Sequence, residues 1–502
     1  MTMSSVCGAM SRWPITADHS ARGEARDKQQ IASAKLNKSL SVAVVGAGAG
    51  GIAATRELLK EGHRVVVFEQ EIDGLGGVWR FSHRTEDEDP LGLSSDRSAI
   101  HSSMYLGLRT NLPREIMGFL DFPFLPKYGD SSRDARRYPG HVEVLDYLED
   151  YAVHFGLLPC IRFGRRVTRV CMHARPKTRD DALIAPDCSN SGGCQWSVTT
   201  VAERDCKDCT TDMFDAVVVC NGHYFQPKLA PIPGIEEWPG IRLHSHNYRV
   251  PDPFADQVVV VIGNSSSGSD ISREIATVAK AVHLVGRTWD SDVDLQKPAG
   301  PKQNISLHPM VKSAHEDGKL VFENGDSVIA DVILYCTGYA YSMPFLQTEE
   351  IVNVNADYVG PLYQHVFPPR LAPTLSFVGL PFKVIPFPLM QLQSRWIAQS
   401  LSGKVTLPSE EQMLKDSLEF YERLDARGIP TNKIHDMGSY QFEYDNWLAA
   451  ACDSSPIEPW RIQIYNNSSK RKRASPDTYR DEWSDQELHD LAIAELQQLQ
   501  IV

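Results

Sequence analysis

The chain has 502 residues, of which 42% are hydrophobic, enough for two or three domains with substantial cores. Its formal net charge of −13 excludes a broad nucleic-acid-binding face, where nothing would balance phosphate repulsion. No apolar run approaches the roughly 20 residues of a membrane-spanning helix, and the 10 cysteines are too sparse in so long a chain for a disulfide framework. Several of them, Cys220 and Cys336 included, fall in predicted buried strands, as free thiols do in reducing compartments, so a soluble cytoplasmic protein is expected.

Residues 1–38 lack periodicity and read as a disordered extension; Asp18, Glu24 and Asp27 argue against a transit peptide, which is poor in acids. The first structured unit opens at Val42-Ala43-Val44-Val45, an apolar strand running into Gly46-Ala47-Gly48-Ala49-Gly50-Gly51. Apolar residues at helical spacing predict a helix over Ile52–Glu61, ended by Gly62, and Arg64–Phe68 reads as a buried parallel strand. Glu69 follows, about twenty residues past the turn, where a carboxylate accepts hydrogen bonds from ribose hydroxyls and repels a 2′-phosphate. The unit therefore suits FAD or NAD and disfavours NADP. A diphosphate would lie on the amides of the helix start, with Gly48 allowing close backbone approach.

A polar stretch, 172–211, interrupts this domain and reads as a hairpin excursion with Trp196–Val201 as one strand. It carries Cys188, Cys194, Cys206 and Cys209. Cys206-Lys-Asp-Cys209 has the form of half a zinc site or a redox pair, but the spacing to the other two fits no common zinc module, which favours an inert surface insertion and no bound metal. Phe214–Gly222 is a buried strand ending in a turn, and Pro231-Ile-Pro233-Gly234 and Pro251-Asp-Pro253 punctuate the entry to a second domain.

There Val258–Ile262 runs into Gly263-Asn264-Ser265-Ser266-Ser267-Gly268, the same geometry with different chemistry. The middle glycine is replaced by Ser265. A helix is predicted over Asp270–Ala281 and a strand over Val282–Val285, and Arg287 stands where the first unit has its acid. A guanidinium there pairs with a 2′-phosphate through two hydrogen bonds, so this unit prefers NADPH to NADH. Asp331–Tyr339, including Thr337 and Gly338, repeats the strand that closes the first unit, and the chain is then expected to return to the first domain. Leu375–Gly379 reads as a strand and Leu389–Leu401 as a helix, and the remainder is largely helical. Lys470-Arg471-Lys472-Arg473 resembles a nuclear-import cluster, but beside Asn466, Asn467, Ser468 and Ser469 it reads as a solvated loop. The resulting class is α/β with two Rossmann-like dinucleotide-binding domains. The FAD-binding domain spans 39–222 and 340–485, the NADPH-binding domain 223–339 is inserted in it, and 486–502 is a tail.

Trp238-Pro-Gly240-Ile-Arg-Leu-His244-Ser-His-Asn-Tyr248-Arg249, just before the second turn, resembles the fingerprint of flavin-containing monooxygenases, with Trp238 in place of the usual Phe. Gly76-Gly77-Val78-Trp79 resembles that family's flavin-contacting turn, and Cys336-Thr337-Gly338-Tyr339 its domain-crossing Thr-Gly-Tyr. Leu108–Arg114, Asp121–Phe124, His244–Val250 and Pro476–Trp483 are similar to the plant branch that oxygenates sulfur in glucosinolates, in which the second turn also lacks its middle glycine. The resemblance implies FAD and NADPH as cofactors and a C4a-hydroperoxide of the flavin, formed with molecular oxygen, that is attacked by a soft nucleophile such as a thioether. It implies that Asn111 lies beside flavin and nicotinamide, and that Gln393 lies near the cofactors, although Gln391 replaces the family's acid. His244 and Tyr248 are expected to fix the domain junction rather than to act in chemistry. N-hydroxylation of an amine, a flavin disulfide reductase and a redox-inactive nucleotide-binding protein are the alternatives. The reductase would need a cysteine pair between Gly51 and Leu158, where there is none.

Overall fold

The structure is a computed structural model and describes residues 39–94, 100–174, 194–290 and 293–499. The expected N-terminal extension and Cys188 lie outside the described residues.

Two parallel five-stranded sheets organise the chain. In the first, the order is Leu375–Phe377, Ala216–Val219, Ser41–Val45, Arg64–Phe68 and Ile161–Arg162. The three central strands are valine-rich because both faces are covered. One face, with Val42, Val44, Val65 and Val67, packs on the helices Ala49–Lys60, His141–His154 and Pro386–Ser402. The other face, with Ala43, Val45 and Phe68, meets an antiparallel sheet built from Arg165–Ala174, Cys194–Ala202 and Asp205–Phe214.

That antiparallel sheet corrects the reading of 172–211 as a surface excursion. Trp196 is fully buried and Val198 and Phe214 pack with it against the parallel sheet, so the hairpin is a structural layer. Its other face alternates outward with Ser197, Thr199 and Thr211, which is why the segment looks polar. Cys209 is an exposed free thiol on the hairpin, and among the described residues no group of three His, Cys, Asp or Glu is placed to hold a metal.

The second sheet runs Ile305–His308, Ala281–Val285, Val258–Ile262, Val332–Tyr335 and Ile241–His244, all parallel. Its helix, Ser266–Ile275, covers one face through Ile271 and Ile275, and a three-stranded antiparallel sheet covers the other through Val311, Leu320 and Phe322. The two units thus repeat one plan of helix, parallel sheet and antiparallel sheet. The helix starts at Ser266 and not at Asp270 because the turn residues form its first turn, and it ends at Ile275, leaving Ala281 to open the strand.

Two segments connect the units side by side: Gln226–Pro227 pairs antiparallel with Tyr339–Ala340. The last hundred residues differ from expectation in two places. The basic run Lys470–Arg473 lies in the final turn of the helix Pro459–Ala474, where cations meet the negative end of the helix dipole. The expected tail forms the helix Gln486–Leu499, whose Ala492 and Leu496 are buried against Ile116, Trp460 and Ile464. Among the described residues no helix is long and apolar enough to cross a membrane.

Candidate active site between two glycine-rich turns

The first turn is shaped by contacts that side chains would destroy. Gly46 has φ +95°, and a Cβ on Gly51 would stand 1.9 Å from the Gly46 carbonyl oxygen, so the helix can pack this close to the strand only with glycine there. Gly48 is different: its φ of −73° is open to any residue, and a Cβ there would lie 3.6 Å from the Cα of Gly77. The two glycine turns therefore face each other across a narrow gap. No side chain caps the helix Ala49–Lys60, which leaves its N-terminal amides to an anion.

Glu69 is buried at the end of the second strand. Its Oε2 accepts from the Ala47 amide at 2.7 Å and its Oε1 from the Glu71 amide at 2.9 Å. Burial pushes the carboxyl up, opposed by those two amide hydrogen bonds. Each oxygen retains a second lone pair for a ribose hydroxyl.

The second turn keeps the steric logic. Gly263 has φ +109°, and a Cβ on Gly268 would meet the Gly263 carbonyl oxygen at 1.6 Å. Ser265 has φ −80° and ψ −165°, close to Gly48, so replacing the middle glycine strains nothing. The helix again lacks a side-chain cap. Here Asn264, rather than an acid, ties the turn to the next strand by donating to the Thr288 carbonyl at 2.7 Å. Arg287 is thereby left exposed at the strand end.

A cleft opens beside the second turn. Trp79, Leu108 and Asn111 line it from the first unit, Ser266, Ser267 and Asp270 from the second, and Lys472, Tyr479 and Arg480 from the C-terminal segment. Arg480 joins the units: it donates to the carbonyls of Thr110 at 3.0 Å and Arg109 at 3.2 Å, and to Asp270 at 2.6 Å. Tyr105 donates to the other Asp270 oxygen at 2.5 Å. The segment bearing Asn111 is thus clamped to the helix of the second turn.

A profile described as "Flavin-binding monooxygenase-like" matches residues 39–292 and 302–457. The chain belongs to the flavin-binding monooxygenase-like family. It is an enzyme of the FAD- and NADPH-dependent monooxygenase class, which settles the choice against a disulfide reductase or a redox-inactive binding protein. It is 49% identical over 452 residues to the flavin-containing monooxygenase FMO GS-OX-like 4 of Arabidopsis thaliana, covering 90% of this chain and 96% of that one. With FMO GS-OX1 of the same plant it shares 48% over 450 residues, 90% of this chain and 93% of that one. Among solved structures, S-allyl-L-cysteine S-oxygenase from Allium sativum superposes with a TM-score of 0.83 at 46% identity, over 92% of this chain and all (100%) of that one.

Within this flavin monooxygenase the fingerprint segment is a junction. His244 is fully buried and its Nδ1 accepts from the His246 amide, Tyr248 stacks edge-on against Tyr105, and Arg249 donates to the carbonyls of Ser82, His246 and Tyr248 at 2.7, 2.7 and 2.9 Å. Trp238 lies over Gly240, where a Cβ would fall inside its ring. Thr337 donates to the Lys228 carbonyl and Gly338 accepts from the Lys228 amide at 3.0 Å, so both sit in the paired connections. Gln393 is fully buried and does not line the cleft: its Oε1 accepts from the Gly379 amide at 2.9 Å and its amide donates to Tyr444 at 3.1 Å. It supports the first turn from below, since a Cβ on Gly50 would touch Val378, the neighbour of Gly379. Gln391 likewise bonds inward, to the Leu120 amide and Asp121. Sequence reasoning missed Lys472, Tyr479 and Arg480 as cleft residues. Pro476–Trp483 is a branch motif in the sequence, and nothing local to it signals a contact with Asp270.

Proposed function

We propose that this protein transfers one atom of dioxygen to the sulfur of a small thioether, giving a sulfoxide, while the other atom leaves as water and NADPH supplies two electrons. When bound, reduced FAD supplies the activation of dioxygen. The observation that carries the reading is the cleft in which Trp79 and Asn111 of the first unit face Ser266 and Ser267 of the second turn.

In this reading the amides of Gly48, Ala49 and Gly50, facing Gly77, would hold the FAD diphosphate, and Glu69 would hold its ribose. Gly263–Gly268 would hold NADPH, and exposed Arg287 would take its 2′-phosphate. Asn111 offers both a donor and an acceptor to the two reacting rings. The reaction asks for no protein nucleophile, because the cofactors carry the chemistry. The inserted second unit, 223–339, serves as the NADPH-binding domain, and 39–222 with 340–485 as the FAD-binding domain. Sulfur is favoured because the relatives named above include an S-oxygenase of S-allyl-L-cysteine, and because the quoted motifs resemble the glucosinolate-oxygenating branch. The buried free thiols Cys220 and Cys336 support a reducing, cytoplasmic setting.

The test is NADPH consumption coupled to product mass across a panel of thioethers and amines. Sulfoxides should dominate, with one NADPH consumed per product. Preferential formation of hydroxylamines would overturn the sulfur assignment and install N-hydroxylation in its place.

A further inference from the structure

We propose that Lys472, carried by the last turn of the helix Pro459–Ala474, binds the diphosphate of the nicotinamide nucleotide at the second turn. The proposal rests on the reading of Gly263–Gly268 as the NADPH site. It gives the C-terminal segment a part in nucleotide binding that the two Rossmann-like units by themselves do not contain.

Arg480 has Asp270 at 2.6 Å, Arg273 has Asp477 at 2.7 Å and Arg109 has Asp481 at 2.8 Å. Each of these arginines is thus matched to its own carboxylate. Lys472, among the described cations lining the cleft, is the one without a carboxylate partner. Its Nζ instead donates to the hydroxyl of Ser266 at 3.3 Å. Ser266 is the first residue of the helix Ser266–Ile275, whose N-cap residue, Ser265, makes no side-chain cap. An ammonium and a set of amides that the N-cap side chain does not occupy therefore meet at Ser266, each favouring negative charge.

The surroundings make that ammonium incomplete without an anion. Burial, together with Arg480 and Arg273, holds it below the usual lysine range, with Asp270 opposing. A phosphate group in front of Ser266 would remove the repulsion and satisfy the amides together. Position also selects which phosphate. Arg287 stands past the end of the neighbouring strand Ala281–Val285, on the side where an adenosine ribose is held, whereas Lys472 stands at the helix start, where the diphosphate lies. The two cations thus read different parts of one molecule. Lys472 should bind NADP⁺ and NAD⁺ alike, and only Arg287 should tell them apart.

The experiment titrates FAD-loaded enzyme with NADP⁺ and with NAD⁺ by calorimetry, for wild type, Lys472→Gln, Lys472→Arg and Arg287→Gln, with flavin content and melting temperature as fold controls. Lys472→Gln should weaken both nucleotides by a similar factor, on the order of tenfold for one charge-assisted hydrogen bond. Lys472→Arg should retain most of the affinity, and Arg287→Gln should weaken NADP⁺ only. Unchanged affinities in Lys472→Gln would make the residue a mere helix end and overturn the proposal. Loss confined to NADP⁺ would also overturn it, by placing Lys472 at the 2′-phosphate. A wild type that binds neither nucleotide, or an Arg287→Gln enzyme that binds NADP⁺ normally, would instead strike at the reading of the second turn.

Discussion

Gly48→Ala separates the fold of the first turn from its function. The residue has φ −73° and ψ −174°, which alanine adopts without strain. Its new methyl would meet Gly77 at 3.6 Å (Cα) and 4.0 Å (N), ordinary van der Waals distances. The FAD-free protein should therefore change in stability by less than about 0.5 kcal/mol, and its melting temperature by no more than about 1–2 °C. The same methyl stands in the gap where the diphosphate must approach the backbone. Forcing a methyl-sized group into a filled contact costs about 1–3 kcal/mol, which weakens FAD by about 5- to 150-fold. Gly51→Ala is the contrast: its Cβ would be 1.9 Å from a backbone oxygen that cannot swing away, so both fold and flavin should be lost. The assay is flavin fluorescence quenching on reconstitution of apoprotein, with thermal melts of the apo form alongside. If Gly48→Ala bound FAD within about twofold of wild type, the diphosphate would not lie at this turn.

Three further outcomes are expected. Arg480→Gln removes the partly buried charged contact to Asp270, which should cost about 2 kcal/mol and lower the melting temperature by about 2–4 °C in a chain of this length; because the pair is coupled, adding Asp270→Asn should cost less than the sum of the single changes, and additive losses would refute the clamp. Asn111→Ala should retain FAD but release more hydrogen peroxide per NADPH consumed, with coupling lower by about tenfold if two hydrogen bonds are lost; an unchanged product-to-NADPH ratio would remove Asn111 from the reaction. The third concerns pH: His365, buried with its Nδ1 3.0 Å from that of His435, is pushed down to about 3 by burial. Its folded pKa lies below the unfolded value of about 6.5, so the unfolded chain takes up the proton first on acidification. Stability is full above about pH 6.5 and falls toward pH 3, by up to about 1.4 kcal/mol per pH unit. Chemical denaturation at pH 7.5 and 5 measures it, and His365→Gln should flatten the slope.

Both parallel sheets and their turns were legible because valine runs, glycines at fixed offsets and a discriminating charge are all local signals. Glu69 and Arg287 stand at the strand ends where spacing placed them. The helix starts were placed three or four residues late, since Ala49–Gly51 and Ser266–Ser269 look like loop yet form the first helical turn. The antiparallel hairpin was misjudged because only one of its faces is apolar and half its residues point to water. The contacts of Gln393, Lys472 and Arg480 were out of reach altogether. Arg480 meets Asp270 across 210 positions of sequence, and a basic run at a helix end has the same composition whether it faces solvent or a cleft.

Exposure distinguishes the two turns in a way the motifs do not. Ala47, Ala49, Gly50 and Gly51 are buried, and Glu69 is locked to its own turn, whereas Ser265, Ser266, Ser267 and Arg287 are exposed. On the proposed assignment this is the difference between the two cofactors' duties. FAD is reduced and reoxidised in place, so its site gains from burial and from a carboxylate that rigidifies the turn. A nucleotide that must arrive and be replaced in every cycle suits an open turn with an exposed selecting arginine. Asn264 makes this possible: by bonding Thr288 it does the internal work that Glu69 does in the first unit, and it frees the position after the strand to hold a cation for the ligand. One architectural plan thus yields a resident site and an exchange site, and the substitution that decides between them is which residue fastens the turn.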